Sequence, residues 1–323
     1  QMKISYSHLV SKIKENPSIE MISESLFQLG HEHEIDGDIL NMEFTPNRGD
    51  CLSLIGLSRD LNVFFGKSDP LEYFEKEIDE LNLDFENESE YDCPSISFLS
   101  VKIKGPISDY KDYMSSYFTE LGNNKNNFFT DISNYISYEL GQPTHCFDKE
   151  KINGKLIFSR SSSSEKFNTL LDDKLDLKGD DCVFSINDEV VSLAGIMGGK
   201  STACDMSTKN ALIECAYFRP ESIIGKSIKY NLQSDAAHKF ERGVDPTCHE
   251  KVLRRFIKII DDHADIKEIN IYKYESARYE SIFLEKNLKK INNILGTSIK
   301  DAEYKEILEK LGFNVSTRLE IPS

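Results

Sequence analysis

The sequence contains no tryptophan, few positive charges and no long apolar run. Its 39 Lys and Arg residues are outnumbered by 55 Asp and Glu residues, so the net charge is −16. This excess of negative charge argues against a general binder of nucleic acids or anionic membranes, and any contact with RNA must be local. No apolar stretch reaches the roughly 18 residues of a membrane span, and the start lacks the apolar stretch of a signal peptide. We therefore expect a cytoplasmic protein without a membrane partner.

Paired cysteines and nucleotide-binding loops are also missing. The seven cysteines are odd in number and widely spaced, and none forms a Cys-x-x-Cys pair. We expect reduced thiols and no metal site. The Gly-rich run at 195–199 matches neither a P-loop nor a Gly-x-Gly-x-x-Gly motif, so it does not predict a nucleotide site. With 323 residues, 39% of them hydrophobic, the chain is long enough for about two domains with sizeable cores.

Hydrophobic periodicity predicts an α+β fold. In the first part of the chain the pattern predicts helices over 7–14 and 18–29, a strand at 40–44, and a helix capped by Asp50 and ended by Gly66. The central part mixes both periods, with a helix at 131–140 and a long amphipathic helix after Pro246. Its strand-like segments are 96–103, 156–158, 182–186, 190–194 and 211–218, with a hairpin turn at Asn187.

Changes in composition divide the chain into four regions. We predict a small N-terminal domain at 2–66, an acidic linker at 67–94, a central mixed α/β domain at 95–278, and the start of a truncated α+β unit at 279–323.

Charge is distributed unevenly between these regions. From Lys67 to Asp92 there are eleven acidic residues and two lysines. Such crowding of like charges favours a solvated linker. From Lys226 to Lys258 there are eight basic and four acidic residues, which indicates either a phosphate-facing patch or a solvated helix face.

Five short runs place polar groups or glycines where a simple helix or strand does not need them. They are Thr45-Pro-Asn-Arg-Gly-Asp-Cys-Leu-Ser53, Gly141-Gln-Pro-Thr-His-Cys-Phe-Asp148, Ala194-Gly-Ile-Met-Gly-Gly199, Glu214-Cys-Ala-Tyr-Phe218 and Lys239-Phe-Glu-Arg-Gly-Val-Asp-Pro246.

Each run also has an ordinary structural interpretation. The first is compatible with a helix-entry turn alone, and His145 with a surface residue on a loop. Glu214 interrupts an apolar strand, and an unpaired buried carboxylate is costly, so this residue needs a polar partner. A structural ion pair is the alternative to a functional role. Cys146, beside His145, is interpreted as a packed thiol rather than a nucleophile.

In this order the five runs resemble the β subunit of bacterial phenylalanyl-tRNA synthetase, and the resemblance extends in weaker form over nearly the whole chain. It implies that the central domain is an editing hydrolase, which removes tyrosine wrongly attached to tRNA(Phe). In that family the synthetic active site lies on a separate α subunit. The resemblance also implies that the C-terminal region begins a winged-helix-like unit and that further domains would lie beyond Ser323.

The resemblance assigns roles to individual residues. His145 and Glu214 would form the catalytic and tyrosine-recognising pair. The residues that shape or line the pocket would be Ser133, Ala194, Gly195, Gly198, Ser234 and Ala236. The local basic patch predicts tRNA-facing side chains at Lys226, Lys229, Lys239 and Arg242.

The resemblance also implies partners and cofactors. The partners would be the α subunit, in an α2β2 heterotetramer, and tRNA(Phe), with tyrosine as the ligand of the editing pocket. No cofactor is expected in this part of the protein, whereas the complete synthetase uses ATP and Mg²⁺.

The chain departs from the family pattern in two respects. Ser133 and Ser234 stand where the family commonly carries Thr, which keeps a hydroxyl and loses a methyl group, so we expect a looser pocket. Only about a dozen residues separate Gly30 from Glu43, where the family commonly inserts a tRNA-binding OB-fold domain. These departures support an alternative function, a non-catalytic assembly and tRNA-docking scaffold with a degenerate pocket.

The implied chemistry agrees with the residue types. An apolar pocket for phenylalanine cannot strongly reject an isostere that only adds a hydroxyl, so a second site must prefer tyrosine. Glu214 can accept the phenolic proton and His145 can add a second polar contact. Backbone N–H groups of the Gly-rich turn at 195–199 are candidates for stabilising an oxyanion. We see no Ser-His-Asp order, so a positioned water is the expected nucleophile.

Overall fold

A computed structural model describes residues 2–323, which divide into two compact units. The first unit contains the chain up to Phe44 together with Leu54–Pro70 and Tyr279–Ser323. The second unit contains Thr45–Ser53 and Leu71–Arg278. No helix among residues 2–323 is long and apolar enough to cross a membrane.

The elements follow one another as helices and strands in mixed order. The helices are α1 (Tyr6–Val10), α2 (Ile19–Gln28), α3 (Leu54–Phe65), α4 (Asp112–Leu121), α5 (Phe128–Leu140), α6 (Pro220–Ile223), α7 (Lys226–Lys229), α8 (Asp235–Arg242), α9 (His249–His263), α10 (Leu288–Leu295) and α11 (Asp301–Lys310). The strands up to residue 168 are β1 (Met2–Ser5), β2 (Glu32–Asp36), β3 (Ile39–Glu43), β4 (Asp79–Glu80), β5 (Phe85–Asn87), β6 (Ser95–Lys104), β7 (His145–Asp148), β8 (Leu156–Arg160) and β9 (Ser163–Asn168). The remaining strands are β10 (Lys174–Lys178), β11 (Cys182–Ile186), β12 (Glu189–Leu193), β13 (Met197–Gly198), β14 (Asn210–Tyr217), β15 (Asp265–Glu275), β16 (Phe283–Glu285), β17 (Asn314–Val315) and β18 (Arg318–Glu320). This composition confirms the predicted α+β class.

The first unit is built on two small antiparallel sheets, with strand orders β1-β3-β2 and β16-β18-β17. Alternation along β3 buries Leu40 and Met42, which explains why this segment has a strand pattern. Helix α2 begins after Ser18, whose side chain accepts a hydrogen bond from the N–H of Met21 at 3.3 Å. In the same unit α11 lies against α3.

The second unit contains two five-stranded sheets and one hairpin. The first sheet has the order β4-β15-β6-β14-β7, and the second has the order β13-β12-β11-β8-β5. The hairpin β9–β10 forms a separate two-stranded sheet. The turn between β11 and β12 has Asn187 at φ 49° and Asp188 at φ 62°, which is the left-handed conformation that a tight hairpin requires, as predicted.

The core of the second unit lies between its two large sheets. Phe98 and Phe147 of the first sheet meet Phe184 of the second, with ring centroids 6.4 and 6.2 Å apart. Helix α9 covers the other face of the first sheet and also packs against α5. Strand β14 is therefore buried on both faces, so only Asn210 and Tyr217 at its two ends are partly exposed. This two-sided burial explains its almost continuous apolar sequence.

The acidic segment is more than the linker that its charge predicts. Strand β4 pairs with β15 and β5 pairs with β8, so the segment joins both large sheets. Leu81 is buried in the core, and Phe85 packs against it. The reason is that alternate positions from Glu80 to Glu86 carry apolar groups toward the core and leave the acidic side chains exposed. Asp92, by contrast, is buried and forms an ion pair with Arg160.

Three further predictions differ from the structure. Asp50 lies inside the one-turn 3₁₀ helix Gly49–Cys51, so it does not cap α3, which begins at Leu54. The run Thr45–Ser53 belongs to the second unit rather than to an N-terminal domain, and Tyr279–Ser323 joins the first unit rather than forming a third one. The stretch between Gly30 and Glu43 forms the short hairpin β2–β3.

Candidate functional site

His145 and Glu214 are neighbours on adjacent antiparallel strands. His145 begins β7 and Glu214 lies in the middle of β14, and their Cα atoms are direct partners in the register. Side chains at directly opposed positions point to the same face of a sheet. Glu214 alternates with Leu212 and Ala216, which belong to the core between the two sheets. Both polar side chains are therefore directed between the sheets.

These two side chains line a cavity of about 70 Å³. Its wall is formed by residues of β7, β12, β13, β14 and α8, together with the turn that precedes β13. The lining residues are Pro143, Thr144, His145, Ser192, Leu193, Gly195, Ile196, Met197, Gly198, Glu214, Ala236 and Phe240. A volume of this size holds more than one water molecule, because one water needs only about 10–15 Å³ by this measure.

Two glycines allow the wall to approach the histidine. Gly195 has φ 69°, a left-handed conformation that glycine adopts without strain. A Cβ atom on Gly198 would lie 2.2 Å from Cε1 of His145 and 2.9 Å from Cδ1 of Leu170. The backbone at Gly198 therefore contacts the imidazole directly, and any larger residue there would displace the ring.

Glu214 is a buried carboxyl group without a partner. The residue is only 4% exposed. Desolvation alone shifts the pKa of its carboxyl group, because no hydrogen bond and no nearby charge from residues 2–323 contributes. Burial raises its pKa from the ordinary value of 4.5 to about 8, because no nearby cation compensates for the lost hydration. The protonated form of this carboxyl group is therefore favoured at neutral pH.

His145 is also uncharged at neutral pH. Loss of hydration lowers its pKa from 6.5 to about 4. Its Nε2 atom is buried and has no hydrogen-bond partner among the described residues. The ring packs edge-on against Phe147, with centroids 4.4 Å apart. The cavity thus contains two neutral polar groups that can both form hydrogen bonds with a ligand.

The structure brings together five of the eight residues predicted for the pocket. His145, Gly195, Gly198, Glu214 and Ala236 all line the cavity.

The other three predicted residues lie behind the cavity wall. Ala194 is fully buried in the core. Ser133 on α5 donates a hydrogen bond to the carbonyl oxygen of Thr144 at 2.6 Å. Ser234 donates to the carbonyl oxygen of Ile196 at 2.6 Å and caps α8. The two serines therefore hold segments that form the wall, and the methyl group missing relative to Thr does not directly widen the cavity.

Several lining residues were missed by reasoning from the sequence. Three of them, Thr144, Met197 and Phe240, lie inside the five polar or Gly-rich runs, so the signal for them was present in the sequence. Ser192 and Leu193 lie at the end of β12, and nothing in the local sequence distinguishes them from ordinary strand residues. Only the pairing of β12 with β13 places them in the wall.

The three lysines predicted to face tRNA have partners within the protein. Lys239 is 4% exposed, and its ammonium group donates to the carbonyl oxygen and the hydroxyl of Ser137 at 2.7 and 2.9 Å. This lysine is therefore not available to a phosphate, and the prediction is corrected. Lys226 and Lys229 approach the fully buried Asp181 at 3.3 and 2.8 Å. The buried carboxylate holds both ammonium groups. Arg242 lies in the last turn of α8.

The basic part of α9 is also engaged within the second unit. Arg255 forms a two-bond ion pair with the buried Glu139, at 2.7 and 3.0 Å. Arg254 donates to the carbonyl oxygen of Phe74 at 2.8 Å, and Lys258 lies 3.2 Å from the carboxylate of Glu72. Residues of the acidic segment therefore contact the basic side chains of α9 that the local positive charge had suggested for RNA binding.

The run Thr45–Ser53 has a structural role inside the second unit. A Cβ atom on Gly49 would lie 2.8 Å from the carbonyl oxygens of Arg242 and Gly243. Glycine is required here because the two chain segments are in backbone contact. Arg48 and Asp50 form a two-bond ion pair at 3.0 and 2.9 Å within the same turn.

Comparison with known proteins places this cavity in a described domain. The B3/4 domain family model matches residues 94–265, more than half of the chain and all of the cavity wall. The phenylalanine–tRNA ligase β subunit of Francisella tularensis subsp. tularensis is 31% identical over 298 residues, which cover 88% of this chain and 36% of that protein. The same subunit of Photorhabdus laumondii subsp. laumondii is 31% identical over 292 residues, with the same coverage of 88% and 36%. The chain thus spans about a third of the length of these curated relatives.

A solved structure has the same fold. The N-terminal fragment of the phenylalanyl-tRNA synthetase β subunit from Pyrococcus horikoshii is similar with a TM-score of 0.50 and 15% sequence identity. The match covers 99% of this chain and 93% of that fragment. The chain therefore belongs to the B3/4 domain family, and its resemblance to the β subunit of phenylalanyl-tRNA synthetase is confirmed.

Proposed function

We propose that the second unit hydrolyses the ester of tyrosine wrongly attached to tRNA(Phe). In this reaction the oxygen of a water molecule bonds to the ester carbonyl carbon, the bond from that carbon to the ribose oxygen breaks, and the ribose oxygen leaves with a proton. The products are free tyrosine and deacylated tRNA. The nucleophile is water, because Cys146 is buried and burial raises the pKa of its thiol well above the usual range.

The observation that carries this proposal is the pair of unpartnered polar groups in the cavity. Glu214 and His145 lie side by side in a wall whose other polar side chains are Thr144 and Ser192. Nε2 of His145 is buried without a hydrogen-bond partner among residues 2–323, and no hydrogen bond or nearby charge offsets the desolvation of Glu214. Buried polar groups are nearly always paired, and an unpaired one costs about 1–3 kcal/mol. A ligand that is apolar with one polar tip would remove this cost, and the side chain of tyrosine has this character.

The same arrangement supports discrimination against phenylalanine. A site built to hydrogen-bond a hydroxyl group rejects the analogue that lacks it by roughly 10⁴–10⁵, because its own polar groups would stay unpaired. This is the selectivity that an editing site needs, since it must spare the correct phenylalanyl ester. The cavity therefore complements an apolar synthetic site that cannot reject tyrosine strongly.

We further propose that the chain acts as part of a phenylalanine–tRNA ligase. This rests on the relatives, which are β subunits of that enzyme. The proposed partners are an α subunit, in an α2β2 heterotetramer in the cytoplasm, and tRNA(Phe). ATP and Mg²⁺ would serve the synthetic reaction on the α subunit.

The test is deacylation of tyrosyl-tRNA(Phe) by the 323-residue chain and by Glu214→Leu. We expect hydrolysis by the parent chain and a loss of about 100-fold or more in the variant, since an unpaired phenol is left in an apolar site. Glu189→Leu is the matched control, because Glu189 is exposed on β12 and lies outside the cavity. Equal rates for the parent and Glu214→Leu would contradict the role of Glu214. A folded parent chain without hydrolysis would instead favour the scaffold alternative.

A further inference from the structure

We propose that Glu214 recognises the phenol as a neutral carboxylic acid, which accepts one hydrogen bond from the phenolic O–H and donates one to the phenolic oxygen. This inference rests on the proposed function and goes beyond it, because sequence reasoning assigned Glu214 the role of a carboxylate. It names the chemical form of the tyrosine-recognising group and the pH range in which it acts.

The residues that line the cavity around Glu214 include no permanent cation, and the hydroxyl groups of Thr144 and Ser192 are engaged with Ser133 and with the carbonyl oxygen of Met197. Among the cavity-lining residues there is no Lys or Arg, and His145 on β7 is the other ionisable side chain. The neighbour on β6 in the register is Phe98. The walls contributed by the 195–198 turn and by α8 are glycine and apolar side chains. A carboxylate here would be an uncompensated buried charge, which proteins avoid by keeping the group protonated.

The remaining ionisable neighbours are cysteines that stay neutral. Cys93, Cys146 and Cys215 are close enough to Glu214 to interact with it electrostatically, and all three are buried. Burial raises the pKa of each thiol well above the usual range. Because His145 also remains unprotonated at neutral pH, no cation appears beside Glu214 near pH 7.

Binding a phenol does not require Glu214 to ionise. A phenol has one O–H donor and one oxygen acceptor, and a neutral carboxylic acid offers the complementary acceptor and donor. The two groups therefore satisfy each other with two hydrogen bonds and no net charge. A carboxylate would receive a single hydrogen bond from the phenol and would remain a buried charge with unused acceptor sites.

The decisive variant is Glu214→Gln, because the amide has the same shape, keeps one acceptor and N–H donors, and does not ionise. We expect kcat/KM for tyrosyl-tRNA(Phe) within about tenfold of the parent at pH 7, whereas Glu214→Leu loses about 100-fold or more. Above pH 8 we expect kcat/KM of the parent to fall about tenfold per pH unit, as one proton is lost. The Gln variant should stay flat once spontaneous ester hydrolysis is subtracted.

Two results would overturn the inference while leaving the proposed function intact. One is a parent chain that hydrolyses the ester while Glu214→Gln is as slow as Glu214→Leu. The other is a kcat/KM of the parent that rises through pH 8, which would show that the ionised form is required.

A second measurement does not depend on hydrolysis. Calorimetric titration with free tyrosine at pH 7, in buffers of different ionisation enthalpy, counts the protons exchanged on binding. If Glu214 stays a neutral carboxylic acid, no proton is exchanged on binding. If Glu214 binds tyrosine as a carboxylate, about one proton is released, and that release would refute the inference. If free tyrosine does not bind, the deacylation rates of the parent, Glu214→Gln and Glu214→Leu decide the inference, and the rate of the parent alone decides the proposed function.

Discussion

The buried carboxyl group of Glu214 makes the stability of the second unit depend on pH. Above pH 4.5 the unfolded chain loses the proton of Glu214, whereas the folded protein keeps it up to about pH 8. The folded state then binds more protons than the unfolded state, so the free energy of unfolding falls as the pH rises between these values. One pKa unit corresponds to about 1.4 kcal/mol, so the full difference amounts to about 5 kcal/mol. Water entering the cavity reduces this cost, and we expect a loss of about 2–5 kcal/mol.

The variant Glu214→Gln removes this pH-dependent contribution to the free energy of unfolding, because its amide does not ionise. We expect the parent chain to lose stability relative to the variant from pH 5 to pH 9, with most of the change between pH 5 and 8. Urea unfolding followed by far-UV circular dichroism at several pH values measures the difference. The chain has no tryptophan, so intrinsic tryptophan fluorescence cannot serve as the probe.

The matched control for this experiment is Glu189→Gln, an exposed position on the second sheet. Its free energy of unfolding should change with pH in the same way as that of the parent. The reasoning would be refuted if the parent and Glu214→Gln gave parallel curves of stability against pH, since the carboxyl group would then titrate alike in the folded and unfolded states.

Three further predictions concern the wall, the core and the basic residues. Gly198→Ala should lower tyrosyl-tRNA deacylation by about 100-fold in a kinetic assay, because its Cβ would overlap the ring of His145 and a shift of about 1 Å has effects of this size. Replacing Arg255 by Met should destabilise the second unit by about 3–5 kcal/mol in urea unfolding, because Glu139 would be left as a buried, uncompensated charge; the double replacement with Glu139→Leu should recover most of this loss. Lys239→Met should leave the salt dependence of tRNA binding unchanged in a filter-binding assay, since its ammonium group is buried; a reduction of the slope by about one would contradict this.

Local patterns were sufficient where one physical preference dominated. The alternation in β6 and the apolar runs of β11 and β14 predicted strands close to their observed bounds. The hairpin turn at Asn187 followed from its residue types, because only such turns connect strands with so few residues. These features depend on neighbours in sequence, so the sequence contains the information directly.

Charge patterns were less reliable guides. The acidic segment looked like a solvated linker, yet β4 and β5 complete two sheets. The basic stretch looked like a surface for phosphate, yet Lys239 is buried and Arg255 is paired with Glu139. A net local charge cannot show which charges face each other, because that depends on segments far apart in the chain.

The sequence by itself determined the α+β class, the family resemblance and the identity of the two polar residues in an otherwise apolar setting. Only the tertiary structure decided what those residues do together. The register of β7 against β14 places His145 beside Glu214, and the two sheets remove both from water. Desolvation is a property of the packed molecule, and it raises the pKa of Glu214 to about 8, which no local sequence pattern could show.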